Sequence, residues 1–227
     1  VPLSEVIKIA HARGVPVIVD AASQIPPIEN LWHFSGHGGP AAWAQDLHAA
    51  GVAPKPPPTV SGLGADLAIF SGGKGLCGPQ SAGLVLGRQD LIDSIARQGP
   101  PNALIGRPMK VGKEELCGML AAVEWYLGLD LTALAKRYEA EVKTVIDAVS
   151  GLPGVNATRA WPNEAGQPLP RAEVTLGEGA RLSRDLLQER LRTGRPRIEL
   201  SDAGSHGVYV NPQNLVDGDA ERIGDAI

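Results

Sequence analysis

The sequence predicts an α/β fold, in which part of a mostly parallel sheet with helices precedes a small α+β domain. Two short apolar runs, at 15–19 and 67–70, have the continuous apolar character of strands that are buried inside a parallel sheet. After residue 155, short strand candidates alternate with helical patterns, as is typical of a small α+β domain. The predicted division is a large-domain portion at 1–109, linking helices at 110–150 and a small domain at 151–227.

The composition is that of an ordinary globular protein. Of the 227 residues, 43% are hydrophobic and 20% are charged, and the net charge of −4 comes without a run of Lys and Arg. We therefore expect no nucleic-acid partner. Two cysteines imply no disulfide framework, and no apolar run reaches membrane-spanning length, so we expect a cytoplasmic protein without a membrane partner.

The chain opens with a helical pattern that leads into the first strand. Apolar residues three and four apart predict a helix over 1–14, which glycine ends. The apolar run at 15–19 follows it and ends in Asp20, a carboxylate that is followed by small residues such as Ala22. A carboxylate at the end of a buried strand is a candidate functional group.

The segment 33–62 is predicted to be an insertion or a lid between the first two strands. It is rich in glycine and proline, which favour irregular structure over helix or strand. His33, His37 and His48 lack helical alignment, and no acidic or cysteine partner has a spacing typical of zinc sites. No metal site is therefore expected.

The second strand leads into a glycine-rich turn that carries Lys74. The run at 67–70 is followed by Ser71, by three glycines around the lysine, and by a further apolar run at 81–86. Glycines let the backbone turn sharply and approach a ligand closely. The lysine amine can form a Schiff base with an aldehyde, once desolvation leaves it neutral part of the time. The alternative is a surface turn with a solvated lysine.

Pyridoxal phosphate is the aldehyde that fits these two strand ends. Ser71 and nearby backbone N–H groups suit its phosphate, and Lys74 suits its C4′ carbon. Asp20 can pair with the pyridine nitrogen, which makes the ring an electron sink, and Ala22 is small enough for the ring to lie against it. The combination of an Asp strand end with a Ser-x-x-Lys turn is specific.

The remaining elements are predicted from their periodicity. Helices are predicted over 110–126 and 131–149. The first is amphipathic, with an apolar face formed by Val111, Leu116, Met119, Leu120, Val123 and Leu127. Other helices are predicted at 90–97, at 180–192 and from 219 onward, and strands at 155–161, 172–176, 198–200 and 207–210.

The chain resembles the fold-type-I pyridoxal-phosphate enzymes of the selenocysteine-synthase-like group, which contains seryl-tRNA selenium transferases and D-glucosaminate-6-phosphate ammonia-lyases. The resemblance rests on the segments 19–24, 70–81, 106–115 and 162–168, of which the last two favour the ammonia-lyase-like branch. It implies aminotransferase fold type I, pyridoxal 5′-phosphate as the cofactor, and a homo-oligomer that is at least a dimer. By this resemblance the chain is expected to be a fragment that lacks the N-terminal part.

The resemblance also supports roles for individual residues. Lys74 and Asp20 are the expected catalytic residues. Arg107 and Arg197, the latter at the start of a predicted small-domain strand, are the expected substrate-binding residues, because a guanidinium suits a carboxylate or phosphate. The expected cofactor-binding residues are Lys74, Asp20, Ala22, Ser71, Gly73 and Ser23.

Further polar residues have two interpretations each. Gln80 and Ser81 either reach the phosphate bound by a neighbouring subunit or only pack. Asn163, Glu164 and Gln167 either contact a polyhydroxy substrate or belong to an exposed loop.

The expected reaction is the removal of ammonia from a hydroxylated amino acid by β-elimination. The substrate amine displaces Lys74, the freed lysine takes the α-proton, the β-hydroxyl leaves, and hydrolysis releases ammonia and a keto acid. The resemblance implies a small-molecule sugar amino acid, such as D-glucosaminate 6-phosphate, as the substrate. The alternatives are a selenium transferase that acts on seryl-tRNA, an aminotransferase on the same scaffold, and a cofactor-free scaffold.

Overall fold

The computed structural model describes residues 1–25, 30–34, 63–163, 166–167 and 169–227. The chain divides into two compact units, Val1–Leu129 and Asp130–Ile227. This division falls between the two helices that are predicted to link the large and small domains. The role of 110–150 as a link stays a prediction. The helical pattern and prolines at 41–58, with most of the predicted insertion, lie outside the described residues.

The first unit is built on a mixed sheet of three strands in the order β1–β2–β3. Strand β1 pairs with β2 in parallel, and β2 pairs with β3 in the antiparallel sense. The described sheet is therefore mixed, with one parallel and one antiparallel pair. In chain order the elements are α1 (Leu3–His11), β1 (Ile18–Asp20), α2 (Asn30–His33), β2 (Leu67–Ser71), β3 (Gly83–Gly87), α3 (Gln89–Gln98), a 3₁₀ helix (Arg107–Met109) and α4 (Lys113–Leu127).

The prediction that β1 is buried is wrong for this structure. Ile18 is 59% exposed, and Asp20 at the end of the strand is also exposed. The reason is that, within the described residues, β1 lies at the edge of the sheet and pairs only with β2. Strand β2 is the central strand, and its Ala68 and Phe70 are buried as predicted.

The start of β2 is fixed by the buried carboxylate of Asp66. Its Oδ1 accepts a hydrogen bond from Arg88 at 2.8 Å, while Oδ2 lies 2.8 Å from Nε2 of His11 and accepts from the backbone N–H of Val17 at 2.6 Å. Burial opposes ionisation of this carboxyl, but these hydrogen bonds outweigh it and lower the pKa of Asp66 from 3.8 to about 2. Asp66 therefore ties α1, β1, β2 and the residue before α3 together.

The buried face of α4 agrees with the predicted one only in part. Met119, Ala122 and Tyr126 are buried, whereas Leu116 and Leu120 are 60% and 61% exposed. Apolar residues occur on several sides of this helix, so periodicity alone does not identify which side packs. Met119 and Leu127 of the predicted face are therefore buried, while Leu116 and Leu120 of the same face are not.

The second unit is a small antiparallel sheet with helices. Its strands follow the order β4–β5–β7–β6, and Val174 lies between Ala157 and Val208 in register. In chain order the elements are α5 (Leu131–Val149), β4 (Val155–Ala160), β5 (Arg171–Leu176), α6 (Arg184–Thr193), β6 (Ser201–Ala203), β7 (Gly207–Val210), a 3₁₀ helix (Pro212–Asn214) and α7 (Asp219–Ala226). One core joins Val145 and Val149 of α5 to Val174, Val208, Leu187 and Ile223.

The strand predicted at 198–200 is not formed. The backbone N–H of Ile198 donates to the carbonyl of Leu191 at 2.9 Å, which ties this segment back to α6 instead of to a neighbouring strand. Strand β6 begins only at Ser201. Among the described residues, no single helix is long and apolar enough to cross a membrane, although α4 and α5 taken together meet the criteria of length and composition.

Candidate active site at the ends of two parallel strands

The parallel pairing of β1 and β2 brings two functional segments together. Asp20 lies opposite Ile69 in the register. The pairing continues past the last residue of β1, because the N–H of Ala21 donates to the carbonyl of Ile69 at 2.9 Å and that of Ser71 donates to Ala22 at 3.4 Å. Parallel strands end at the same edge of a sheet, so the residues after Asp20 and those after Ser71 meet there.

The turn that carries Lys74 is closed by its own backbone. The N–H of Cys77 donates to the carbonyl of Lys74 at 2.9 Å, and that of Gly78 donates to Gly72 at 2.7 Å. Cys77 has a φ of 55°, which is uncommon for a residue other than glycine. The turn therefore has a defined, tightly folded backbone.

Helix α4 packs directly against this turn, and glycines make the contact possible. A methyl group on Gly72 would lie 2.7 Å from Sδ of Met119, and one on Gly78 would lie 2.9 Å from Cβ of Ala122. From the helix side, a methyl group on Gly118 would lie 2.8 Å from the ring of Pro79. The helix thus acts as a close-fitting support for the turn.

The side chain of Lys74 meets Ser23 across the two strand ends. Its Nζ donates a hydrogen bond to Oγ of Ser23 at 2.9 Å. The backbones of the two segments also touch, because a methyl group on Gly75 would overlap the carbonyl of Ile25. Lys74 is nevertheless exposed, so the described residues do not supply the desolvation of its amine that is predicted from the sequence.

Asp20 and Ala22 belong to the same strand end as Ser23. Oδ1 of Asp20 accepts a hydrogen bond from the N–H of Ala22 at 3.0 Å, which restricts the carboxylate. Ser71 is partly buried at the end of β2, and Gly73 lies against the backbone and side chain of Gln80. Gln80 is exposed beside Gly73, and both interpretations of its role stay open.

This set of groups fits pyridoxal phosphate. It combines one lysine amine with one restricted carboxylate at the ends of adjacent strands, and it adds the hydroxyls of Ser23 and Ser71. An amine for the aldehyde, a carboxylate for the pyridine nitrogen and neutral donors are the groups that this cofactor requires.

The two candidate substrate arginines are not joined to this set by the described contacts. Arg107 begins an exposed 3₁₀ helix in the first unit. Arg197 belongs to the second unit, where it donates to Oε1 of Glu199 at 2.5 Å and 3.1 Å from its two nitrogens. Hydrogen bonds from Arg197 and Arg192 lower the pKa of Glu199, so this carboxylate stays charged beside Arg197. The prediction that Arg197 starts a strand is wrong.

The loop between β4 and β5 does not expose Asn163 and Gln167, and their contact with a polyhydroxy substrate stays a prediction. Asn163 and Gln167 are both buried, and Nδ2 of Asn163 donates to Oε1 of Gln167 at 2.6 Å. The N–H of Gln167 donates back to Oδ1 of Asn163 at 2.9 Å. The two amides thus close the loop on itself, while Glu164 lies outside the described residues.

Sequence comparison relates the chain to known enzymes. The family model described as L-seryl-tRNA selenium transferase (SelA) matches residues 1–138. A 5′-C-glycyluridine monooxygenase-decarboxylase from a Streptomyces species is 33% identical over 95% of this chain and 46% of its own length. The D-glucosaminate-6-phosphate ammonia lyase of Salmonella typhimurium is 27% identical over 97% of this chain and 50% of its own length. The chain therefore spans about half the length of these relatives.

Solved structures support the fold. The structure of a D-glucosaminate-6-phosphate ammonia-lyase covers 100% of this chain with a TM-score of 0.65 and 24% identity, and the chain covers 52% of it. The cysteine desulfurase CsdA of Escherichia coli covers 99% of the chain with a TM-score of 0.51 and 18% identity, and the chain covers 53% of it. The chain thus has the fold of part of these enzymes.

Proposed function

Because the chain belongs to the L-seryl-tRNA selenium transferase (SelA) family, we propose that it is part of a pyridoxal-phosphate-dependent ammonia-lyase that acts by β-elimination. The observation that carries this proposal is the meeting of two strand ends, one with Asp20 and Ser23 and the other with Lys74. Fold-level similarity alone does not assign an activity, so the proposal rests on these residues and on the family.

Different residues are proposed to bind different parts of the cofactor. Pyridoxal phosphate, when bound, supplies an electron sink for the charge that develops at the α-carbon. Asp20 keeps a proton on the pyridine nitrogen, and Lys74 provides the amine for the aldehyde. Ala22 and Gly73 leave room beside the ring, while Ser71 provides a hydroxyl for its polar groups and the hydroxyl of Ser23 bonds to Lys74.

The amine of Lys74 carries the proton transfer. Nζ of Lys74 would take the α-proton of the bound substrate, and the electron pair of that C–H bond would allow the β-hydroxyl to leave. The hydroxyl leaves as water after it receives a proton. A second water then releases the nitrogen as ammonia and leaves a keto acid, so that the net change is the loss of ammonia.

The proposed substrate is a small hydroxylated amino acid, of which a sugar amino acid such as D-glucosaminate 6-phosphate is the leading candidate. The similarity to the Salmonella ammonia lyase over 97% of the chain supports this class. Arg107 and Arg197 are proposed to bind its carboxylate or phosphate, because a guanidinium forms paired hydrogen bonds to either. We further propose that the intact protein is at least a dimer, which exposed leucines on α4 support.

A second candidate function follows from the Streptomyces relative. At 33% identity over 95% of the chain, it supports an oxidative decarboxylation of an amino acid that is attached to a nucleoside. A third candidate is transfer of selenium to seryl-tRNA, because the family description names that activity. An aminotransferase on the same scaffold is the fourth. Their products differ, so product analysis separates them.

The test is borohydride reduction of the intact protein in the presence of pyridoxal phosphate. We expect the reduced cofactor to be attached to the peptide that contains Lys74, and the Lys74→Ala variant to lose this label. Attachment to another lysine would contradict the assignment. Incubation with sugar amino acids should then yield ammonia and a keto acid without oxygen consumption. Carbon dioxide with oxygen uptake would favour the second candidate, and a shift of charged seryl-tRNA on a gel the third.

A further inference from the structure

The hydrogen bond between Ser23 and Lys74 needs an explanation of its own. The two residues are 51 positions apart in the chain, yet Nζ lies 2.9 Å from Oγ. Lys74 is exposed, and a free lysine side chain on a surface samples many rotamers. The contact therefore restricts the amine to a small region at the ends of the two strands.

The backbone on both sides of this contact is fixed independently of it. Ser23 lies in a turn that is closed by the N–H of Gln24, which donates to the carbonyl of Ala21 at 3.0 Å. On the other side, Gly75 packs against Ile25 so closely that a methyl group would overlap its carbonyl. The hydroxyl and the amine meet because these two turns are packed against each other.

A hydroxyl differs from a carboxylate in what it can do for an amine. It accepts a hydrogen bond from the ammonium form and, after rotating, donates one to the lone pair of the neutral form. A carboxylate only accepts, and it would favour the charged form. The carboxylate of Asp20 accepts instead from the N–H of Ala22. Lys74 is thus held by a group that serves both protonation states.

We propose that Ser23 is a positioning residue that holds the amine of Lys74 in one place in both of its protonation states. The inference rests on the proposed function, in which this amine must give up and regain its bond to the cofactor and carry a proton in between. Proton transfer requires a distance close to that of a hydrogen bond. If the amine moved among several positions, each of these steps would be slower.

The first experiment measures how fast the intact protein attaches pyridoxal phosphate to Lys74, by borohydride reduction at timed intervals over a range of pH. In the Ser23→Ala variant we expect the rate to fall on the order of tenfold at every pH, with the midpoint of the pH profile unchanged. Ser23→Thr keeps the hydroxyl and should recover most of the rate. The control is Ser94→Ala, which removes an exposed hydroxyl of α3 that donates to the carbonyl of Asp90 and accepts from Arg97.

The second experiment separates positioning of Lys74 from direct binding of the cofactor. Equilibrium binding of pyridoxal phosphate is measured for Ser23→Ala in the unaltered protein and in the Lys74→Ala variant. We expect Ser23→Ala to weaken binding only where Lys74 is present. An equal loss in both backgrounds would overturn the inference, because Ser23 would then act on the cofactor and not through the lysine.

Two other results would contradict the role proposed for Ser23. An unchanged rate in Ser23→Ala, or a faster rate with a displaced midpoint, would overturn the inference while the proposed function stands. Failure to label Lys74 in the unaltered protein would overturn the proposed function itself, and this inference with it.

Discussion

At the scale of single residues, Asp66 makes a pH-dependent contribution to stability. Its pKa is lowered from 3.8 to about 2, so the folded state binds this proton less tightly than the unfolded chain does. The stabilisation is complete above pH 3.8 and is lost as the pH falls towards 2. We expect the Asp66→Asn variant to lose about 2 kcal/mol of unfolding free energy near neutral pH. Urea unfolding at a series of pH values measures this.

The matched control for this prediction is Asp93→Asn. Asp93 is an exposed carboxylate on α3 that accepts only from Gln89 in the described contacts. It should leave both the free energy of unfolding and its dependence on acid pH nearly unchanged. If Asp66→Asn unfolds with the same dependence as the unaltered protein, the network around Asp66 does not stabilise the fold in the way proposed.

Asp20 gives a second prediction at this scale. The Asp20→Asn variant keeps the oxygen that accepts from the N–H of Ala22, so its circular dichroism spectrum should be unchanged. A neutral amide cannot hold a proton on the pyridine nitrogen, and turnover should fall by at least about 100-fold. Near-normal turnover in this variant would mean that the reaction does not use the ring as an electron sink.

At the scale of elements, the close fit between α4 and the Lys74 turn can be tested at Gly118. Alanine favours a helix over glycine by about 1 kcal/mol, but at this position its methyl group would lie 2.8 Å from the ring of Pro79. We therefore expect Gly118→Ala to destabilise the protein by about 1–2 kcal/mol and to slow the attachment of pyridoxal phosphate to Lys74. Thermal unfolding and timed borohydride reduction measure the two effects.

Gly128→Ala is the control on the same helix. Gly128 caps α4 with an ordinary negative φ, and an added methyl group would come no closer than 3.5 Å to a neighbouring atom. Stability and labelling should both be retained. A Gly118→Ala variant that is more stable than the unaltered protein and labels at the usual rate would show that the turn does not depend on this fit.

The elements also show what the sequence could predict. Helix α5 was predicted with its observed bounds because local signals mark both ends: Asp130 accepts from two backbone N–H groups, and Gly151 follows the last turn. The strand at 198–200 was wrong because an apolar pair does not reveal that Ile198 bonds back to Leu191. Pairing partners that are distant in the chain are not encoded in local periodicity.

The candidate site could likewise be predicted only in part from the sequence. The roles proposed for Asp20 and Lys74 follow from residue types at strand ends, and the parallel register brings those ends together as expected. The contact between Ser23 and Lys74 could not be predicted, because it depends on the packing of Gly75 against Ile25.

At the scale of the whole molecule, the exposed leucines of α4 bear on assembly. Leu116 and Leu120 are four residues apart on one helix and are 60% and 61% exposed, and Met109 shortly before them is 75% exposed. We expect the intact protein to sediment as at least a dimer and the Leu116→Glu, Leu120→Glu double variant to associate more weakly. Sedimentation over a range of concentrations measures this.

The control for association is Leu186→Glu, which places the same charge at a 43% exposed leucine on α6. It should leave the sedimentation behaviour unchanged. An unaltered protein that is monomeric at every concentration would remove the case for a subunit interface at α4.

The pairing of β1 with β2 also bears on how such a protein can diversify. The two strands that lead to the site are held side by side by their ladder and, at their starts, by the hydrogen bonds of Asp66. The cost of closing a longer connection grows only slowly with its length. We therefore expect that changing the number of residues between Phe34 and Leu63 leaves the pairing of β1 with β2 in place, and with it the contact of Lys74 with Ser23.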